Sequence, residues 1–389
     1  MNGKCRICGG ALGDNAFVLK NMPAQAQYFP TAQTVQNDAP VDLILKQCEN
    51  CGVVQLESGL VPYWREVVRA AAYSPEMKTF RLKQFSNWLE KYGLKGKRVL
   101  EAGCGRGEYL SLMRQCGAVA CGTEYGAENA EAARRAGLDV ERVVFETGDE
   151  VLNQKADGFF VLNWLEHLPD IRAFLTALRR NTTHDAVGLI EVPNAELIFK
   201  SNLVFDITQD HLYYFTQESF RRVLQMNGFD VLSLRPVWND YILSAVVKKR
   251  KSENLNSLSG AWNDFSQSLR DFVNSFDRIA VWGAGHQALT ALCISGVAEK
   301  VSFVIDSAPF KQGKLTPVTH LPILPPAYLK TDLPPAVLVA CTSYNKEVVA
   351  FLRENYAGQT TIAVLSQTEV VRVSEKRLPK KLNSRKESR

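Results

Sequence analysis

Long apolar runs are missing from this chain. No segment approaches the ~18 consecutive apolar residues that a bilayer-spanning helix needs, so nothing in the sequence asks for a membrane. The opening stretch, MNGKCRICGG, has no apolar core of the kind a secretory leader carries. Basic charge is also missing from the body of the chain. The net charge is +5, but Lys376–Arg389 holds seven basic residues and one acid, a charge of +6, which leaves −1 for everything before it. Affinity for phosphate backbones comes from Lys and Arg, so a nucleic-acid reader is a poor fit. The tail KRLPKKLNSRKESR (376–389) has no apolar face and reads as a disordered, solubilising end.

Cysteine, by contrast, is present nine times. Without an export signal, this points to a reducing cytoplasm, where thiols bind metal or pack. Four of the nine form two knuckles, CRICGG and CENCGV, that is Cys5, Cys8, Cys48 and Cys51. Each C-x-x-C is followed by glycine, which permits the tight turn that aims backbone amides at sulfur. Two matched knuckles supply the four thiolates of a closed, structural zinc site. A redox C-x-x-C would open a helix and needs only one copy. The other five cysteines are scattered and need no role beyond packing.

A second segment follows a stretch of helical spacing. KRVLEAGCGRGEYLSLMRQCG reads as strand, glycine turn and helix, and AVACGTEYG as a strand ending at Glu124. ADGFFVLNWLEHLPD is a buried strand ending near Asn163, and AVGLIEVPN is another. This alternation predicts an α/β sheet with its ligand at the carboxyl ends of the strands. The turn holds Gly103, Gly105 and Gly107, where glycine permits close backbone approach, and Glu124 is placed to accept ribose hydroxyls. NAD would want G-x-G-x-x-G with its pyrophosphate on the helix N-terminus. Here Glu101 precedes the glycines and Glu108 follows them, a negative setting that suits the sulfonium and ammonium of S-adenosylmethionine (SAM). With NWLEHLPD and Asn163 in register, the segment resembles a class I SAM-dependent methyltransferase.

A third segment, DRIAVWGAGHQALTALCISGVAEKVSFVIDSAPFKQGK, repeats the plan: strand, Gly283-x-Gly285-x-x-Ala288, helix, strand, Asp306. Between the two lies one apolar stripe at 3-4 spacing, Leu255, Leu258, Trp262, Phe265, Leu269, Phe272 and Phe276, expected as a connecting helix docked on its own domains.

The expected architecture is therefore α/β: a zinc-binding module (1–75), a class I methyltransferase domain (76–250), a connecting helix (251–277), a Rossmann-like C-terminal domain (278–375) and the basic tail (376–389). With VIDSAPFKQGKLTPVTHLPI in its last part, the chain resembles the three-domain nucleotide-sugar C-methyltransferases over nearly everything except the tail. That resemblance implies an enzyme with SAM and structural zinc, acting on a small nucleotide-linked keto-deoxysugar in carbohydrate biosynthesis; a monomer is expected, though the sequence does not fix the oligomeric state. It also implies methylation at carbon through a base-generated enolate. The family reads Tyr-His-Glu-His-Leu-Ser-Tyr-Phe where this chain has Thr208, Gln209, Asp210, His211, Leu212, Tyr213, Tyr214 and Phe215. The first Tyr and His are replaced and the Glu is shortened, which marks a divergent branch. In that register His211 is the expected base and His167 the second histidine. Asp210 would hold charge or a sugar hydroxyl, and Tyr73 could donate to an enolate oxygen. An unperturbed histidine fits the task without large tuning. Glu101, Gly103, Gly105, Gly107, Glu124 and Asn163 are expected to hold SAM. Two other readings stay open: an O-methyltransferase acting on a sugar or a related small molecule, and an NAD(P)-dependent sugar oxidoreductase using the third segment.

Overall fold

The computed structural model describes residues 3–27, 29–66, 73–366 and 368–374. The string VVRAAA (67–72) and the basic tail lie outside the described residues. The chain divides into two units, Met1–Lys251 and Ser252–Arg389.

In the first unit, β1 (Leu12–Met22), β2 (Val41–Cys48) and β3 (Val54–Leu56) pair antiparallel. β2 alternates as a half-buried strand should, with Leu43 and Leu45 buried. α1 (Pro75–Lys91) starts where Ser74 accepts a hydrogen bond from the Met77 amide and Pro75 presets the first turn. There follow β4 (Arg98–Ala102), α2 (Glu108–Gln115), β5 (Val119–Thr123), α3 (Ala127–Arg135), β6 (Asp139–Glu141) and β7 (Ala156–Leu162). Next come α4 (Ile171–Arg180), β8 (Thr182–Pro193), α5 (Ala195–Lys200), β9 (Tyr213–Tyr214), α6 (Gln217–Met226), β10 (Phe229–Val237) and β11 (Ile242–Lys249).

Seven strands form one sheet in the order β10-β11-β8-β7-β4-β5-β6, parallel from β8 to β6, with β11 antiparallel between β10 and β8. β4 and β7 are buried along nearly their whole length, as strands covered on both faces must be, and β7 carries the apolar run FFVL. The order reverses between β4 and β7, and the crevice at that switch point is where an open α/β sheet takes its ligand.

β9 does not join this sheet. It pairs instead with β3, Val54 opposite Tyr214 and Gln55 opposite Tyr213, and becomes the fourth strand of the cysteine-bearing sheet. Cys5, Ile7, Val53 and Trp64 share a core with Phe159, Phe215, Phe220 and Val223. The N-terminal module is thus packed into the methyltransferase core.

The second unit holds α7 (Ser257–Asn274), β12 (Ile279–Trp282), α8 (His286–Ser295), β13 (Val301–Ile305), β14 (Ile323–Leu324), β15 (Ala336–Val339), α9 (Asn345–Tyr356), β16 (Thr361–Leu365) and β17 (Val370–Arg372). Its sheet runs β14-β13-β12-β15-β16-β17, parallel except at β17. The stripe on α7 docks only in part. Leu269, Phe272 and Val273 enter the core of this unit, whereas Leu255, Leu258 and Trp262 are 69, 64 and 52 % exposed.

Candidate active site

A cleft of about 500 Å³ lies at the switch point of the seven-stranded sheet. Gly103 and Gly105 line it, both in left-handed backbone (φ +74 and +58), and a methyl added at either would meet only side-chain atoms, the nearest at 3.6 Å. Ligand can therefore approach the backbone closely there. Glu124 lines the cleft as well, and its carboxylate accepts from the amides of Gly105 (2.9 Å) and Gly126 (2.8 Å). A carboxylate has about four acceptor positions, so two amides leave room for a pair of hydroxyls. Asn163, left-handed at φ +48 just past β7, turns an exposed side chain into the same cleft. A short polar side chain tolerates that conformation best among residues other than glycine.

Two residues expected at the cofactor stand elsewhere. Gly107 caps α2 at φ +88, and a methyl there would meet Leu138 Cδ1 at 2.2 Å. Its glycine is needed for helix-to-strand packing, and it does not line the cleft. Glu101 is fully buried within β4 and likewise does not line the cleft.

The histidines come together. His167 follows β7 and His211 precedes β9. Their rings meet edge to face with centroids 4.8 Å apart, and both line the cleft. Nδ1–H of His167 donates to the Asp210 carbonyl at 2.9 Å, and Nε2 lies 3.8 Å from Glu166 Oε1. Burial lowers His167 to about 4. Burial, and then the repulsion of a charged His167, lower His211 to about 3. The expectation of an untuned histidine is corrected on this point: desolvation dominates, and both rings are neutral at physiological pH. One nitrogen each of His167 and His211 and an oxygen of Glu166 lie within 4.8 Å of one another.

Asp210 departs from its expected place. Its carboxylate accepts the Tyr63 hydroxyl at 3.0 Å on each oxygen and the Ala26 amide at 3.1 Å, and it does not line the cleft. Tyr73 is not a lining residue either; its ring stacks at 5.8 Å on Tyr109, which is. The Tyr214 hydroxyl is spent on Thr208, accepting from its amide (2.9 Å) and donating to its carbonyl (3.2 Å).

The cleft also has walls that motif reading missed. Trp164 packs against Gly103. Arg81, 1 % exposed, lines the cleft and pairs with the fully buried Glu191 of β8, which Gln84 also meets. An acid inside the apolar run GLIEVP was the available signal.

At the four cysteines, Sγ atoms of Cys5 and Cys51 are 3.6 Å apart and those of Cys8 and Cys48 3.5 Å, and all four lie within 4.8 Å of one another. A tetrahedral tetrathiolate with Zn–S of ~2.3 Å has sulfurs ~3.8 Å apart, so little movement separates the two arrangements. The amides of Ile7, Gly10 and Cys51 point at sulfur at 3.4–3.5 Å. The hydrogen bond from Cys51 lowers Cys5 to about 5, while the same contact raises Cys51.

Comparison with known proteins agrees with the architecture. Residues 77–234 match the model of a methyltransferase domain, and residues 255–365 match that of the C-methyltransferase C-terminal domain. The C-methyltransferase NovU of Streptomyces niveus is 21% identical, the alignment covering 89% of this chain and 91% of that protein. The ubiquinone biosynthesis O-methyltransferase of Pseudomonas entomophila is 34% identical over 101 residues, 24% of this chain and 44% of its own length. Among solved structures, the PH0226 protein of Pyrococcus horikoshii OT3 superposes on 49% of this chain with a TM-score of 0.39 at 14% identity. The fold and the cleft define a SAM-dependent methyltransferase. With its C-terminal domain of the matching type, the chain is consistent with the C-methyltransferase family. Among the described residues no helix is long and apolar enough to cross a membrane.

Proposed function

We propose that this enzyme methylates a carbon next to the ketone of a nucleotide-linked keto-deoxysugar, with His211 as base. The carrying observation is that His211 and His167 touch within the cleft that also holds Gly103, Gly105 and Glu124. The family resemblance supports the sugar. Gly103, Gly105 and Glu124 would hold SAM, which would supply an activated methyl to the acceptor carbon and leave as S-adenosylhomocysteine. His211, neutral and half-buried in the cleft wall, would take the α-proton on a ring nitrogen while the C–H electron pair becomes the C=C bond of the enolate and the carbonyl π pair moves onto the ketone oxygen. Its depressed basicity is offset because the imidazolium forms beside the new enolate, whose charge it would balance. His167 keeps one tautomer because Nδ1–H is committed to the Asp210 carbonyl. Trp164 and the buried Arg81–Glu191 pair wall the cleft against water.

The cysteine cluster supports a structural zinc held by Cys5, Cys8, Cys48 and Cys51. Closed by four thiolates, the ion would do no chemistry and would fix the sheet that carries β9. Metal analysis of protein purified without chelator should return one zinc per chain, and Cys48→Ser should lower folding yield more than SAM affinity. No zinc would remove this assignment.

Methylation at a hydroxyl is the second reading, favoured by the 101-residue similarity to an O-methyltransferase. One experiment separates the two. With S-adenosylhomocysteine bound, the enzyme should exchange the α-proton of a 4-keto nucleotide sugar for solvent deuterium, read by mass spectrometry. Methyl transfer without exchange would favour the hydroxyl acceptor.

A further inference from the structure

Residues 26 and 27, between β1 and β2, reach the cleft from outside both the glycine turn and the histidine strip. Gln27 is exposed and lines the cleft. The backbone amides of Ala26 and Gln27 both donate to the Tyr63 hydroxyl oxygen at 3.0 Å. That hydroxyl donates to Asp210, which also takes the Ala26 amide. Burial, with the Asp210 carboxylate adding to it, pushes the Tyr63 phenol up to about 12, so it stays a donor. Asp210 is 4 % exposed. Its carboxylate is thus committed to the 26–27 segment, its carbonyl holds His167, and the next residue in the chain is His211. A second tie runs alongside, from Gln209 Nε2 to the Gly59 carbonyl at 2.7 Å.

We propose that Gln27 is a specificity-determining residue on the acceptor side of the cleft, and that Asp210 is a positioning residue that holds it in register with the two histidines. The assignment to the acceptor side rests on the function proposed above and on the tether itself, which ties the 26–27 backbone through Tyr63 to Asp210, the residue before His211, and not to the Gly103–Gly105 turn. A carboxamide offers two donors and one acceptor group without charge. It suits a hydroxyl or carbonyl of the acceptor.

The test combines kinetics with amide hydrogen exchange in the full-length protein, using a 4-keto nucleotide sugar as acceptor. Gln27→Ala should raise the acceptor KM roughly three- to tenfold, the value of one lost hydrogen bond, with kcat and SAM affinity nearly unchanged. Tyr63→Phe and Asp210→Ala should raise the same KM and speed exchange at amides 26 and 27. Asp210→Asn, which keeps an acceptor oxygen, should restore most of both. An unchanged KM in Gln27→Ala overturns the specificity role. Unchanged exchange in both Tyr63→Phe and Asp210→Ala overturns the tether. The exchange readout needs no acceptor. If the wild type methylates no keto sugar, the role of Gln27 falls with that reading and the tether is judged on exchange alone.

Discussion

The two units share one plan, strand, glycine turn, helix, strand and acid, and differ at the acid. Among the described residues, Glu124 is held by two backbone amides. Asp306 takes two as well, from Ala284 and Ala308 at 2.8 Å, and adds Lys311 Nζ at 2.8 Å. The lysine fills an acceptor position and cancels the charge. Gln312 fixes the same strand end through the Asp306 carbonyl at 3.0 Å, so the family-specific string KQGK is spent on this acid. The helices differ in the same sense. α2 carries Glu108 in its first turn, whereas the first turn of α8 has no acid. The first crevice thus keeps an uncancelled carboxylate with acceptor positions to spare, the second does not, and topology alone would not have told the two apart.

The largest expected effect breaks the comparison at the chemistry. His167 and His211 line the first crevice, while His286 is the sole histidine lining the second. His211→Ala should lower kcat by ~10²–10⁴ and leave SAM affinity intact, the usual value of a positioned base. Wild-type rates of α-proton exchange in that variant would make His211 a wall residue and move the base to His167.

The first glycine of each turn sharpens it next. A methyl at Gly103 would sit 3.7 Å from the Trp164 ring, whereas one at Gly283 would meet the Ala340 carbonyl oxygen at 2.7 Å and Cys341 Sγ at 2.8 Å. Gly103→Ala should therefore cost only the left-handed strain of ~1–2 kcal/mol. Gly283→Ala should cost more, because backbone must move, and the loss should appear in the unfolding of the second unit. Equal losses in the two variants would mean that the turns are equally open.

Much of this was legible in the sequence, for identifiable reasons. The glycine turns, Glu124, Asp306 and the paired knuckles are short-range patterns in which a few residues fix both backbone and chemistry. The pairing of β9 with β3 was not, because it joins residues more than 150 positions apart and leaves no local period. That pairing is why Asp210, read as a substrate contact, turns out to face Tyr63 and Ala26. Gly107 misled for another reason: close backbone approach to a ligand and close packing against Leu138 demand the same residue.

A smaller effect tests the acids. Glu124→Ala removes charge-assisted acceptors and should weaken SAM binding by ~1.5–3 kcal/mol, about tenfold or more. Asp306→Ala should leave SAM affinity unchanged, since its carboxylate belongs to the other crevice. A matching loss of SAM affinity in Asp306→Ala would contradict the division of labour between the two turns.

The smallest effect is a slope with pH. His167 falls to about 4 and His211 to about 3 in the folded protein, both below the ordinary value near 6.5. The unfolded chain therefore binds more protons than the native one below pH 6.5, and stability must fall as pH falls. Each histidine can contribute at most ~1.4 kcal/mol per pH unit. Below about pH 5 carboxylates titrate as well, so the window that belongs to the histidines runs from 6.5 to 5. The measurement is the thermal transition that SAM raises, which reports the first unit, followed between pH 7 and 5 in the wild type and in a His167→Gln, His211→Ala double variant. The wild type should lose stability through this window and the double variant should lose clearly less. Parallel curves would show that the two rings remain hydrated in the native state. Their neutrality at physiological pH would then need a cause other than burial, and the account of His211 as a proton-free base would lose its physical basis.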